Sequence, residues 1–206
     1  MWTLKGFCKT NTSDPRHYWI IMGLLYPGIL GALIYELGPH LYSGPWTWKL
    51  EQWLVLALMV HFALDYAYSV DDKSRREYSW CKFPFDLAIV WLLYAALKAA
   101  GEGVTDPSRV MSVCLIMILT RTCAIVWEGT GSNRPDTLAR VVAVASDAIP
   151  LVGYGVVLLK TRDGSLLPTG SLVGLLVVVA LDSMLYWFHE PIYGLFKPEQ
   201  RDAPAS

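Results

Sequence analysis

The sequence predicts an all-α protein that crosses a membrane about six times, a polytopic integral membrane helical bundle. Three observations predict it. Apolar and aromatic residues make up 54% of the 206-residue chain and charged residues 17%, well below the roughly 25% charged of an ordinary soluble domain. The apolar residues gather into six windows between Tyr18 and Phe188, each of the length a spanning helix needs. Between windows lie short polar stretches rich in Gly, Pro, Asp or Ser, which turn a chain back between antiparallel neighbours. Residues 1–206 therefore read as a single transmembrane domain with no room for a separate soluble one.

The first window, Tyr18 to Leu37, is preceded by the cap-like Ser13-Asp14-Pro15 and ended by Gly38-Pro39. It starts too late and runs too long for a cleaved signal peptide. The second window runs from Leu50 to about Ser69, the third from about Phe85 to Ala100 and the fourth from Arg109 to Glu128. The fifth spans Ala139 to Leu159 and the sixth Gly170 to Phe188, both after Gly- or Pro-bearing connections. The stretch from Asp71 to Phe85 is the longest internal connection and the most charged, so it is expected at the membrane surface. Six spans put both tails and the second and fourth connections on one side, with eleven Lys and Arg against five on the other. The positive-inside rule then predicts both termini in the cytoplasm, at the endoplasmic reticulum if the cell is eukaryotic. Tryptophans such as Trp19, Trp46, Trp48, Trp80, Trp127 and Trp187 fall near window ends, where interfacial aromatic anchors belong.

A formal charge of −1 with scattered Lys and Arg argues against nucleic acid, which needs a contiguous basic patch. Cys8, Cys81, Cys114 and Cys123 form no CxxC or CxxH pair, so neither a disulfide framework nor a thiolate metal site is predicted, and no HxxxH or HExxH occurs. Gly28 with Gly31, and Gly153 with Gly155, permit close helix contact, within one chain or between two copies in a homodimer.

The informative residues are the charged ones inside the windows, since each costs at least ~2.5 kcal/mol at the centre of a spanning helix. His61 and Asp65 are one turn apart on one face of the second window, close enough to interact. That pairing suits proton transfer, with Asp65 able to act as a neutral acid in a dry pocket; it also suits a polar pair that glues helices together. A His-carboxylate metal set is a third reading. Asp86 opens the third window, Arg121 and Glu128 lie seven apart in the fourth, and Arg121 must find an acid within the bundle. Asp147 comes just before Pro150, whose missing N–H lets a helix bend. Asp182 lies seven residues before His189, and it serves either a pocket or packing. Glu36 and Glu190 close the first and last windows, with His40 just beyond the first.

The stretch from about Leu50 to Lys160 resembles the EXPERA-domain family, which includes sterol isomerases of the emopamil-binding type and sigma-2 receptor-like proteins. His61-x-x-x-Asp65 looks like the isomerase's His-x-x-x-Glu, Phe85-Asp86-Leu87 like the acid that opens its next helix, and Trp127-Glu128 like a helix closing on an acid. Arg134-Pro135-Asp136-Thr137-Leu138 is similar to the Arg-Pro-Glu-Thr-Leu of sigma-2-like members, and Asp147-Ala148-Ile149 falls where the isomerase has Asn-Ala-Leu. The resemblance implies a four-helix core over about 50–160, with helices 18–37 and 170–188 added at its ends. It also implies an isomerase or, as in membrane-bound terpenoid cyclases related to the family, a cyclase acting on a sterol or terpenoid held in membrane lipid. Such an enzyme protonates an alkene or epoxide and shields the carbocation from water. The expected assignment is Asp65 as donor positioned by His61, with Asp86 and Asp147 stabilising cation or taking the last proton. Tyr66, Trp91 and Trp127 would line the pocket beside Arg121, Glu128 and Asp182. No cofactor is required. A binding protein for sterols or cationic amphiphiles and a proton-coupled transporter are the rival readings.

Overall fold

The computed structural model describes residues 15–38, 49–70, 82–101, 106–131 and 137–196. Every regular element among the described residues is helical: α1 (Pro15–Ile20), a π turn (Ile21–Leu25), α2 (Tyr26–Leu37), α3 (Leu50–Ser69), α4 (Phe83–Gly101), α5 (Pro107–Gly131), α6 (Thr137–Arg162) and α7 (Pro168–Phe196). Six stretches are long and apolar enough to cross a membrane, the first formed by α1, the π turn and α2 together. The chain is a multi-pass integral membrane protein. Much of the surface connection after Asp71, His40, Cys8, Cys81, Trp46, Trp48 and Trp80 lie outside the described residues, as do the side chains of Glu36, Glu128, His189 and Glu190.

The last three helices outrun their apolar windows. Turn-forming Gly129 to Gly131 continue α5, and α7 passes through Pro191 to Phe196. Hydropathy marks only the part of a helix that lipid must cover, whereas backbone hydrogen bonding continues into the polar end. Pro150 lies within an unbroken α6. In the first span Pro27 has no N–H and its ring would press on the carbonyl four residues back. The chain answers with the wide π turn, in which the Tyr26 N–H donates to the Ile21 carbonyl.

The spans α3, α4, α5, α6 and α7 form a closed ring, each packed on the next and α7 on α3. The first span lies outside that ring against α3 and α4. The two helices expected to flank a four-helix core thus take different places: the first is peripheral, whereas α7 is the fifth stave of the ring. Outward positions such as Leu24, Leu119, Val152, Val156, Val177 and Met184 are exposed, which an apolar solvent permits. Inside, Leu54, Leu58, Val113, Met117, Leu93, Leu175 and Val179 are fully buried or nearly so.

The α6–α7 corner is tight because its residues can take the required backbone. Gly164 has φ 73°, a left-handed position that favours glycine. There the Leu166 N–H reaches the Lys160 carbonyl at 3.2 Å, capping the helix end. The Thr161 hydroxyl bonds Ser171 Oγ across the corner at 2.9 Å. At two exposed turns a serine holds a carboxyl below the usual range, Ser108 through its hydroxyl and N–H at Asp106 and Ser165 likewise at Asp163.

Below the corner the two helices touch through glycine. A Cβ on Gly153 would meet Val178 Cγ1 at 3.0 Å, and one on Gly174 would meet Val157 Cγ2 at 3.3 Å, while Gly28, Gly31 and Gly155 face open space. Gly153 therefore serves contact within the chain and is not available to a second copy. Gly153→Ala should lower stability by about 1–3 kcal/mol through overpacking, and Gly155→Ala should leave it unchanged. Thermal unfolding in detergent micelles checks both.

Candidate functional site

The ring brings together His61 from α3, Arg121 from α5, Asp147 from α6 and Asp182 from α7. All four are buried, at 0%, 2%, 6% and 1% exposure. Arg121 is the hub. Its Nη1 donates to Asp147 Oδ1 at 2.9 Å, its Nε donates to Asp182 Oδ2 at 2.9 Å, and its Nη2 donates to His61 Nε2. A guanidinium has donors only, pointing in fixed directions in one plane, so three helices are held at set angles around it.

The same logic fixes the histidine. Because Nε2 accepts from Arg121, the ring proton sits on Nδ1, which donates to Ser183 Oγ at 3.1 Å. The Ser183 hydroxyl in turn donates to the Val179 carbonyl at 2.9 Å. His61 is thereby a neutral ring with both nitrogens committed. His61 Nε2 is 3.9 Å from Asp182 Oδ2, and that oxygen also accepts the Tyr154 hydroxyl at 2.8 Å. Asp182 Oδ1 is buried and has no hydrogen-bond partner among the described residues. An orphaned carboxylate oxygen in a buried site is costly.

Asp65 has different company. Its Oδ2 accepts the hydroxyl of Tyr26 from the first span. The Tyr26 ring stacks on Tyr66, with centroids 5.4 Å apart and planes 26° apart, and tilts against Phe62 at 5.2 Å. The expectation that His61 positions Asp65 is corrected on this point. The two share a helix face, but the ring nitrogens of His61 serve Arg121 and Ser183, while Asp65 is oriented by Tyr26.

Asp86 and Trp127 belong to a third locality. Asp86 is buried one turn into α4, next to the turn that carries Lys82, and Lys82 Nζ sits 3.7 Å over the centre of the half-buried Trp127 ring. Lys82 itself is buried, and that cation–π contact ties the start of α4 to the far part of α5. Trp91 does not line a pocket: it is 55% exposed and meets Tyr94 edge-on on the outside of the bundle. Five residues after Asp86 it is rotated about 140° away from that acid. Glu128 lies in α5 with its side chain outside the described residues. No group of three or more His, Cys, Asp or Glu among the described residues could hold a metal ion.

Four contributors were not singled out from sequence. Tyr154 follows Asp147 by seven residues and shares its face, so helical spacing could have found it. Ser183 adjoins Asp182. Tyr26 carries a weaker signal, its place before Pro27, and Lys82 carries none beyond its closeness to Asp86.

Asp65 and Asp86 lie toward the ends of α3 and α4 that adjoin residues 71–81, and Arg121 and Asp147 toward the ends of α5 and α6 that adjoin residues 132–136. Thr161 and Ser171 are the buried polar residues toward the other end, among the described residues.

Removing Arg121 leaves Asp147 and Asp182 facing each other without a cation. Arg121→Met should therefore cost about 3–5 kcal/mol, and Arg121→Lys, which cannot reach three partners at once, should recover little of it. Asp147→Asn and Asp182→Asn combined with Arg121→Met should fold better than Arg121→Met alone. The monodisperse fraction on size exclusion in detergent reads all three.

The chain matches no protein-family model, no curated protein and no solved structure.

Proposed function

We propose that this protein is a membrane-embedded acid–base enzyme, an isomerase or cyclase of EXPERA-like kind, that protonates an alkene or epoxide of a sterol or terpenoid substrate. The observation that carries the reading is the contrast between two sorts of buried carboxyl. Asp147 and Asp182 are clamped on the guanidinium of Arg121. Asp65 stands apart from that ion pair and accepts the hydroxyl of Tyr26. Acids held in two such different surroundings suit the separate tasks of donor and acceptor.

In this mechanism the O–H bond of Asp65 breaks as a new bond forms to the substrate carbon or epoxide oxygen, leaving Asp65 a carboxylate and the substrate a cation. The half-buried ring of Tyr66, beside Asp65, offers a negative face to that cation. Asp182, through its unpartnered Oδ1, takes the final proton as the double bond re-forms. One proton enters the substrate and one leaves it; Asp182 then releases its proton and Asp65 takes one up before the next turnover, so no oxidant, reductant or cofactor is consumed. Arg121, Asp147, Tyr154 and His61 hold Asp182 in place.

The rival transporter reading draws less support. A proton relay carries charge through the whole depth, whereas among the described residues the other half holds no buried charge, with Leu54, Leu58, Val113, Leu172 and Leu175 buried there beside the uncharged Thr161–Ser171 pair. The excess of Lys and Arg on one side supports both termini in the cytoplasm; in a eukaryote the membrane would be that of the endoplasmic reticulum. Partners are the lipophilic substrate and membrane lipid.

Membranes holding the protein, incubated in D2O with a Δ8 sterol or with an epoxidised polyprenyl compound, should yield an isomer of one of them. Protonation of an alkene leaves one deuterium on carbon in that isomer. Asp65→Asn should lower turnover by roughly 100-fold or more, the scale of a lost general acid, and Asp182→Asn comparably. Wild-type turnover in Asp65→Asn would refute the assignment.

A further inference from the structure

We infer that Tyr26, carried by the span outside the ring, is a positioning residue that dictates which oxygen of Asp65 delivers the proton. The inference rests on Asp65 being the acid of the proposed reaction and adds a group from a helix outside the region that resembles the EXPERA core. A carboxylic acid has two oxygens and its proton can sit on either. Tyr26 donates its hydroxyl to Oδ2, so Oδ2 serves as acceptor and the transferable proton resides on Oδ1.

The surroundings make that choice firm. Tyr26 is 2% exposed, and its ring is held between Phe62, three residues before Asp65, and Tyr66, the residue after it. The phenol thus approaches Asp65 from one direction only. The π turn sets that direction: the Tyr26 N–H reaches back five residues to Ile21, and the wide turn lies immediately before Pro27. Tyr18, Ile21, Met22, Tyr26 and Leu33 are the buried residues by which the first span meets the ring, and Tyr26 carries the bond to Asp65. π turns inside α-helices recur at functional sites, and here the turn delivers one hydroxyl to one oxygen.

Two readouts test the inference. In infrared difference spectra of the full-length protein in lipid, the band lost in Asp65→Asn identifies the Asp65 carboxyl C=O. Tyr26→Phe keeps the ring and its stacking but removes the donor, so that band should move to higher wavenumber. In turnover assays Tyr26→Phe should lower kcat roughly tenfold, the scale of one hydrogen bond to a reacting carboxyl, with KM within about twofold. Tyr35→Phe, on the same span but 86% exposed, should change neither. An Asp65 band that stays in place in Tyr26→Phe, or a KM change with kcat intact, overturns the role of Tyr26. Absence of any Asp65 carboxyl band in the wild-type protein instead overturns Asp65 as the resting acid, and so the proposed function beneath it.

Discussion

A guanidinium inside the apolar depth of a bilayer must be matched in both charge and direction, and here Arg121 is matched by groups from three other spans. Asp147 and Asp182 supply the charge, at 2.9 Å each, and the lone pair of His61 fills the third direction. Van der Waals packing alone does not choose strongly between neighbouring helices in lipid, where the tails are as apolar as leucine. The fixed fork of an arginine does choose. It sets α3, α6 and α7 about α5, and the closed ring follows from that choice together with the glycine contacts between α6 and α7. Tyr154 and Ser183 then secure the acceptors, Tyr154 on Asp182 and Ser183 on His61.

Much of this was legible in the sequence because lipid makes the code simple. Helix number and approximate limits follow from where apolar residues run long enough to span, and the intramembrane charges stand out because each is costly. Arg121 had to find an acid, and it finds two. What sequence could not supply is the partner choice among several acids. His61 and Asp65 share a face, yet belong to different clusters, because one turn of α3 brings His61 within reach of α5 and α7 and Asp65 within reach of the first span. Trp91 was legible as aromatic and not as outward-facing, although its rotation from Asp86 on the same helix was available. Pro150 drew attention as a bend, while it was the face shared by Asp147 and Tyr154 that carried the polar contact.

The outermost span presents a different case. Its composition is that of any apolar helix, with no charge between Tyr18 and Tyr35, and it lies outside the stretch that resembles the EXPERA family. Its contribution lies in backbone geometry, a single π turn before a proline, which no hydropathy profile registers. The same holds for α7, whose first half reads as plain lipid-facing sequence and whose Asp182 is nonetheless the most constrained acid in the ring.

The positions of the partners along the chain carry a consequence for biogenesis. Arg121 is made 26 residues before Asp147 and 61 before Asp182. While the ribosome is still extending the chain, α5 has yet to meet its counter-ions. A nascent protein in this situation has to keep α5 at the translocon or near headgroups until the final helix emerges. Ring closure is therefore a late event, commanded by the last span, and a chain cut short before Asp182 leaves its arginine in hydrocarbon with half of its charge partners missing, the sort of polar defect that membrane quality control recognises.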